Sequence, residues 1–135
     1  MSTILVVDDE PTILETIRIY FGEDHEVHTA KNATEGLQEF LKHFPAVVVT
    51  DIRMPGMDGI EFAKRLIEIY MKVKIIILTG HGDTYDALDA FKIGVVDFLR
   101  KPVDVEELRQ AIERALGQIE KETARPQKDQ QGKIV

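Results

Sequence analysis

Apolar runs at residues 4–7, 47–50, 75–78 and 95–99 alternate along the chain with segments whose apolar positions recur at helical spacing. A weaker run, Val27-His28-Thr29-Ala30, fills the second strand position. The pattern is strand then helix, five times over. It predicts an α/β domain built on one doubly wound, five-stranded parallel sheet with helices on both faces and right-handed crossovers. The first, third and fourth runs are continuously apolar, as strands covered on both faces must be. The second run and Val95-Val96-Asp97-Phe98-Leu99 carry polar interruptions suited to edges. Strands two and five at the edges correspond to the order 2-1-3-4-5.

Helix starts are well signalled. Asn32 with Glu35, Asp58 with Glu61, and Asp104 with Glu107 have capping-box spacing and predict the N-termini of the second, third and fifth helices. Asp83 is the expected cap of the fourth, and Pro11 suits the first turn of the first, where its missing N–H costs nothing. Val105, Leu108, Ile112, Ala115, Leu116 and Ile119 give the last helix one apolar stripe facing the sheet. Beyond about Glu122 the chain turns polar and breaker-rich. Residues 1–122 are therefore expected to form the domain, and 123–135 a disordered tail or linker stub.

Composition narrows the class of function. A length of 135 residues suits a single domain. With 44% hydrophobic and 30% charged residues the chain reads as soluble and globular, without a membrane span or an N-terminal signal. The absence of cysteine removes disulfides, thiolate metal sites and cysteine nucleophiles, which fits a cytoplasmic location. A net charge of −7 with no visible basic patch argues against direct nucleic-acid binding.

Once the capping acids are assigned, three acids at strand ends are left. Asp8 and Asp9 follow the first run, and Asp51 ends the third. In the predicted strand order they meet beyond the carboxyl ends of the strands, where the strand order reverses between the first and third strands. Carboxylates so close cannot all ionise cheaply, so either their pKa values rise or a cation sits among them. With no His or Cys beside the acids, a hard divalent ion with oxygen ligands, Mg²⁺ above all, fits better than zinc. Lys101 after the fifth strand and Thr79 after the fourth face the same crevice, adding a point charge and a hydroxyl. Carboxylate, cation, ammonium and hydroxyl together suit phosphoryl transfer to an aspartate.

Val6-Val7-Asp8-Asp9-Glu10-Pro11, Thr50-Asp51-Ile52-Arg53-Met54-Pro55-Gly56-Met57-Asp58-Gly59, Leu78-Thr79-Gly80 and Asp97-Phe98-Leu99-Arg100-Lys101-Pro102 together resemble a two-component response-regulator receiver domain, over residues 3 to about 121. The resemblance implies a flavodoxin-like fold and a phosphoacceptor role for Asp51, with a sensor histidine kinase or phosphotransfer protein as donor. It implies Mg²⁺, or Mn²⁺ in its place, held by Asp8, Asp9, Asp51 and the backbone carbonyl of Arg53. Lys101 would pair with the phosphoryl group through a cis Lys101–Pro102 bond. Thr79 and Phe98 would be the switch pair, read out on the surface of the fourth helix, fifth strand and fifth helix. Arg53 and His81 are candidates to tune dephosphorylation, with plain solvated loop residues the equal alternative. A downstream protein or an output domain outside this sequence would receive the signal, from a monomer or a phosphorylation-dependent homodimer.

The rival readings are weaker. An aspartyl-nucleophile phosphatase of the haloacid-dehalogenase kind wants an acid two residues after the nucleophile, where Arg53 stands, so a signalling module rather than an enzyme is expected. A flavodoxin-type or dinucleotide-binding module is opposed by the acidic first turn and by the incomplete Gly80-His81-Gly82 fingerprint. A receiver-like domain that works without phosphorylation is disfavoured by the intact acid set. His25, His28 and His43 lack metal spacing in the sequence and are given no role.

Overall fold

The structure is a computed structural model and describes residues 2–80 and 84–123. Five strands, β1 (Thr3–Val7), β2 (Glu26–Ala30), β3 (Val47–Asp51), β4 (Lys74–Thr79) and β5 (Asp97–Arg100), alternate with five helices. The helices are α1 (Pro11–Phe21), α2 (Ala33–His43), α3 (Gly59–Ile69), α4 (Thr84–Ile93) and α5 (Val105–Thr123). All strand pairings are parallel and the order is β2-β1-β3-β4-β5, as the run texture predicts. Every residue of β3 and β4 is buried, whereas β2 and β5 are only partly covered.

Side-chain alternation splits the core into two layers. Leu5, Val7, Val48, Ile75 and Ile77 face one side, with Phe40, Phe62, Leu66 and Ala90 from α2, α3 and α4. Ile4, Val6, Val49, Ile76, Leu78 and Leu99 face the other, with Ile17 of α1 and Leu108, Ile112 and Ala115 of α5. α2 lies close on the sheet because Gly36 has no side chain: a Cβ there would stand 2.8 Å from the Phe62 ring and 3.0 Å from Val7.

The predicted caps form. Asn32 accepts from the Glu35 N–H at 2.8 Å, Asp58 from the Glu61 N–H at 2.8 Å, and Asp104 from the N–H groups of Glu106 and Glu107 at 3.0 and 3.1 Å. Pro11 is the first residue of α1. The fifth strand differs from expectation. It starts at Asp97, not Val95, because the Val95 N–H bonds back to Ala90 at the end of α4 and ladder pairing with β4 begins at Asp97. The expected Asp83 cap and His81 lie outside the described residues. No helix among the described residues is long and apolar enough to cross a membrane.

Candidate functional site

Sheet register explains how residues far apart in sequence come together. Asp8 continues β1 beyond Val7, Asp51 ends β3, and Lys101 follows β5. By strand parity each belongs to the α1–α5 side, with Val6, Val49 and Leu99 respectively. At the carboxyl edge the Lys101 ammonium lies 2.9 Å from Asp8 Oδ2 and 3.0 Å from Asp51 Oδ2. Asp8 and Asp51 are 1% and 5% exposed, so this cluster is held largely out of water. The Lys101–Pro102 peptide bond is cis, as expected, and the Lys101 N–H donates to the Thr79 carbonyl at 2.8 Å.

The backbone reads the acids individually. Asp8 Oδ1 accepts from the Glu10 N–H at 2.9 Å, and Asp51 Oδ1 accepts from the Arg53 N–H at 3.2 Å. Asp8 Oδ2 is buried without a hydrogen-bond partner among the described residues. Its closeness to Lys101 is a charge contact rather than an aligned bond. Asp9 is exposed at the rim. Ligand oxygens of Asp8, Asp9, Glu10 and Asp51 all lie within 4.8 Å of one another.

Glu10 was no candidate on sequence grounds beyond its place in a motif. In the structure its Oε1 takes a third contact from Lys101, at 3.1 Å. This explains why Glu10, at the N-cap of α1, makes no side-chain cap. The run Asp8-Asp9-Glu10 was the available signal.

Four acids around one ammonium leave the cluster net negative. Burial raises the Asp8 pKa, and the neighbouring Asp51 charge adds to the rise, against lowering by the Glu10 N–H and Lys101. Burial pushes the Lys101 ammonium down, but its close contacts with the Asp8, Asp51 and Glu10 carboxylates outweigh that and raise its pKa, so it stays charged. The Asp8 shift is mainly the cost of burying its charge and the Lys101 shift the pull of the carboxylates around it, while the cluster keeps an excess of negative charge. A divalent cation would relieve it.

Thr79 is fully buried at the end of β4. It shares strand parity with Ile75 and Ile77, on the α2–α4 side, and Phe98 packs partly buried against that same layer, opposite Ile77. The two proposed switch residues therefore share a face of the sheet, one on each of two paired strands. Arg53 is exposed on the β3–α3 loop. Asp97 has a structural part, accepting from the Phe98 N–H at 2.9 Å and from Arg114 at 2.7 Å.

The family described as response regulator receiver domain matches residues 4–113 of this chain. The chain belongs to that family. It is 38% identical over 116 residues to the transcriptional regulatory protein GlrR of Escherichia coli K12, a match covering 85% of this chain and 26% of GlrR. A receiver domain structure from Clostridium thermocellum superposes with TM-score 0.84 at 39% identity, covering 89% of this chain and 98% of that one. A CheY-like receiver domain from Methanospirillum hungatei superposes with TM-score 0.87 at 29% identity, covering 90% and 98%. The chain spans 25% to 58% of the length of the curated relatives it matches. It is a signalling module of two-component phosphorelays, a family in which aspartyl phosphorylation and Mg²⁺ dependence are general.

Proposed function

We propose that Asp51 is the phosphoacceptor of this receiver. The observation that carries the reading is the Lys101 ammonium held between Asp8 and Asp51, at 2.9 and 3.0 Å, in a pocket with further acids at its rim. A carboxylate oxygen of Asp51 attacks the phosphorus of a phosphohistidine on a sensor kinase or phosphotransfer protein. The P–O bond forms as the P–N bond breaks, and the imidazole, already protonated on its other ring nitrogen in the phosphohistidine, leaves as the neutral base. Lys101 neutralises charge on the transferred group and pairs with it afterwards.

The residues present fit a hard divalent cation. The donor set is all oxygen, it carries excess negative charge, and the buried Asp8 Oδ2 lacks a hydrogen-bond partner among the described residues. Asp8, Asp9, Asp51 and the backbone carbonyl of Arg53 would hold Mg²⁺, with Mn²⁺ able to replace it. Once bound, the ion supplies charge neutralisation for the equatorial phosphoryl oxygens.

Phosphorylation shifts a pre-existing equilibrium in which Thr79 moves toward the phosphoryl group and Phe98 turns inward, changing the α4–β5–α5 surface. That surface passes the signal to a downstream protein or to an output domain joined through residues 123–135. Arg53, two residues after Asp51, offers no carboxyl for general acid/base work, which favours a single phosphorylation event over turnover of an external substrate. Arg53 and His81 tune hydrolysis of the acyl phosphate. The protein acts in the cytoplasm.

Intact-mass spectrometry with acetyl phosphate and Mg²⁺ tests the assignment. Wild type gains one phosphoryl group and Asp51→Asn gains none. Equal labelling of both overturns it.

A further inference from the structure

At the other end of the sheet the fold gathers residues that the phosphoacceptor site does not use. Glu26 and His28, two apart on the edge strand β2, share strand parity with Ala30, which packs in the α2–α4 layer. Glu39 and His43, four apart on α2, share a helix face. The crossover lays one pair on the other. The rings of His28 and His43 stack with centroids 3.5 Å apart and planes at 11°. His28 Nε2 lies 3.3 Å from Glu26 Oε2, and His43 Nε2 lies 3.1 Å from Glu39 Oε2. One ligand atom each from Glu26, His28 and His43 falls within a 4.8 Å span.

Three observations separate this group from an ordinary surface ion-pair network. His28 Nε2 is buried, and its 3.3 Å contact with Glu26 Oε2 is not aligned as a full hydrogen bond. A buried ring nitrogen left so is costly unless something else takes its lone pair. The 3.3 Å between His28 Nε2 and Glu26 Oε2 is also close to the ligand–ligand edge, about 3.3 Å, of a tetrahedron with zinc–ligand bonds of about 2.0 Å. Finally, the two histidine side chains are only 24% and 22% exposed, so the group is sheltered from bulk water.

We propose that Glu26, His28 and His43 form a second metal site, specific for a divalent transition ion of the zinc class. Two imidazoles and a carboxylate suit borderline ions such as Zn²⁺, whereas the all-oxygen set around Asp51 suits Mg²⁺. Binding tilts the stacked rings out of parallel so that both lone pairs converge, a side-chain rotation at His43 in the last turn of α2. Glu39 completes the site, as a fourth ligand or as the outer carboxylate that orients the His43 ring. His28 and Glu26 pair in register with Leu5 and Thr3, three and five residues before Asp8. At about 3.3 Å per residue the new site is offset from Asp8 by roughly 10–16 Å along the strands alone, and it lies on the opposite face of the sheet. An ion there ties the C-terminal end of α2 to the sheet edge without touching the phosphorylation chemistry.

The test is a titration of the full chain with zinc chloride by calorimetry, in excess Mg²⁺ to occupy the acid cluster. Two-dimensional ¹⁵N spectra of the imidazoles run in parallel. The expected result is one zinc ion per chain, with shifts confined to His28 and His43 and a zinc-dependent rise in Tm. His43→Gln and Glu26→Gln, each checked for folding by circular dichroism, lose zinc affinity by roughly tenfold or more. Asp8→Asn keeps it. Zinc binding that survives in both folded site variants, or that is lost in Asp8→Asn, overturns the proposal, as does a titration with no saturable binding or no shift at the two imidazoles.

Discussion

Replacing Gly59 by alanine should damage the phosphoacceptor site through the backbone alone. Gly59 begins α3, and its N–H donates to the Ile52 carbonyl at 2.7 Å, folding the β3–α3 loop tightly back onto the end of β3. A Cβ at Gly59 would lie 2.1 Å from the Asp51 carbonyl oxygen, 2.7 Å from Ile52 Cα and 2.9 Å from the Asp51 carbonyl carbon. All three are main-chain atoms, so no rotamer change relieves them. Ordinary contact requires the start of α3 and the end of β3 to part by about 1 Å, at a cost of about 1–3 kcal/mol for overpacking. In a domain of this size that lowers Tm by roughly 4–10 °C. The displaced residue is Asp51 itself, and a 1 Å misplacement of a reacting group costs on the order of a hundredfold in rate. Calorimetric Tm and the rate of mass gain with acetyl phosphate, each measured with and without Mg²⁺, check both halves. A variant with wild-type Tm and wild-type labelling rate would refute the reasoning. A drop in Tm with an unchanged rate would show that α3, rather than Asp51, gives way.

Gly117→Ala is the opposite case: a Cβ there meets nothing within 4 Å in the interior of α5, so the change should add about 0.5–1 kcal/mol and raise Tm. Asp8→Asn should abolish the gain in Tm on adding Mg²⁺. Because the Asp8 pKa is raised on folding, metal-free wild type loses stability as pH climbs from the ordinary aspartate value of 3.8 through the higher folded value. The amide of the Asp8→Asn variant does not titrate and so removes that loss; identical Tm-against-pH curves for the two proteins would count against the burial argument. Lys101→Ala leaves Asp8 and Asp51 buried without their ammonium, so it should lower Tm in EDTA by the equivalent of about 3 kcal/mol and recover in part with Mg²⁺. It should still accept a phosphoryl group but bind its output partner no better afterwards. Partner binding that rises as in wild type would sink the coupling role of Lys101.

Periodicity carried the fold because parallel strands covered on both faces are written as unbroken apolar runs. Ile4-Leu5-Val6-Val7, Val47-Val48-Val49 and Ile75-Ile76-Ile77-Leu78 are such runs, and each became a strand. The boundary of β5 was less legible, since Val95 is as apolar as a strand residue but spends its N–H closing the end of α4. Residues at strand ends are legible for a related reason: once the strand order is known, parity places Asp8, Asp51 and Lys101 on one edge and one side. Glu10 was harder, because the first residue before a helix usually caps it, and only Lys101, ninety-one residues later, draws its side chain elsewhere.

His28 and His43 were the least legible of all, and the reason is geometric. Metal spacing read along a chain assumes that ligands share a helix or a loop, whereas here each element supplies a carboxylate–histidine pair and the crossover supplies the meeting. Glu26-x-His28 places two donors on one face of a strand, and Glu39-x-x-x-His43 places two on one face of a helix. Neither pattern alone is informative. They become so only once α2 is known to pack over β2, with its last turn toward the end of the strand where Glu26 lies. The strand order predicted from run texture already required that packing, since α2 connects the edge strand β2 to β3 and must cross over β1 to do so. The same topological step that turns three scattered aspartates into one pocket therefore joins two histidines with no metal spacing along the chain into another, at the opposite end of the strands and with softer donors.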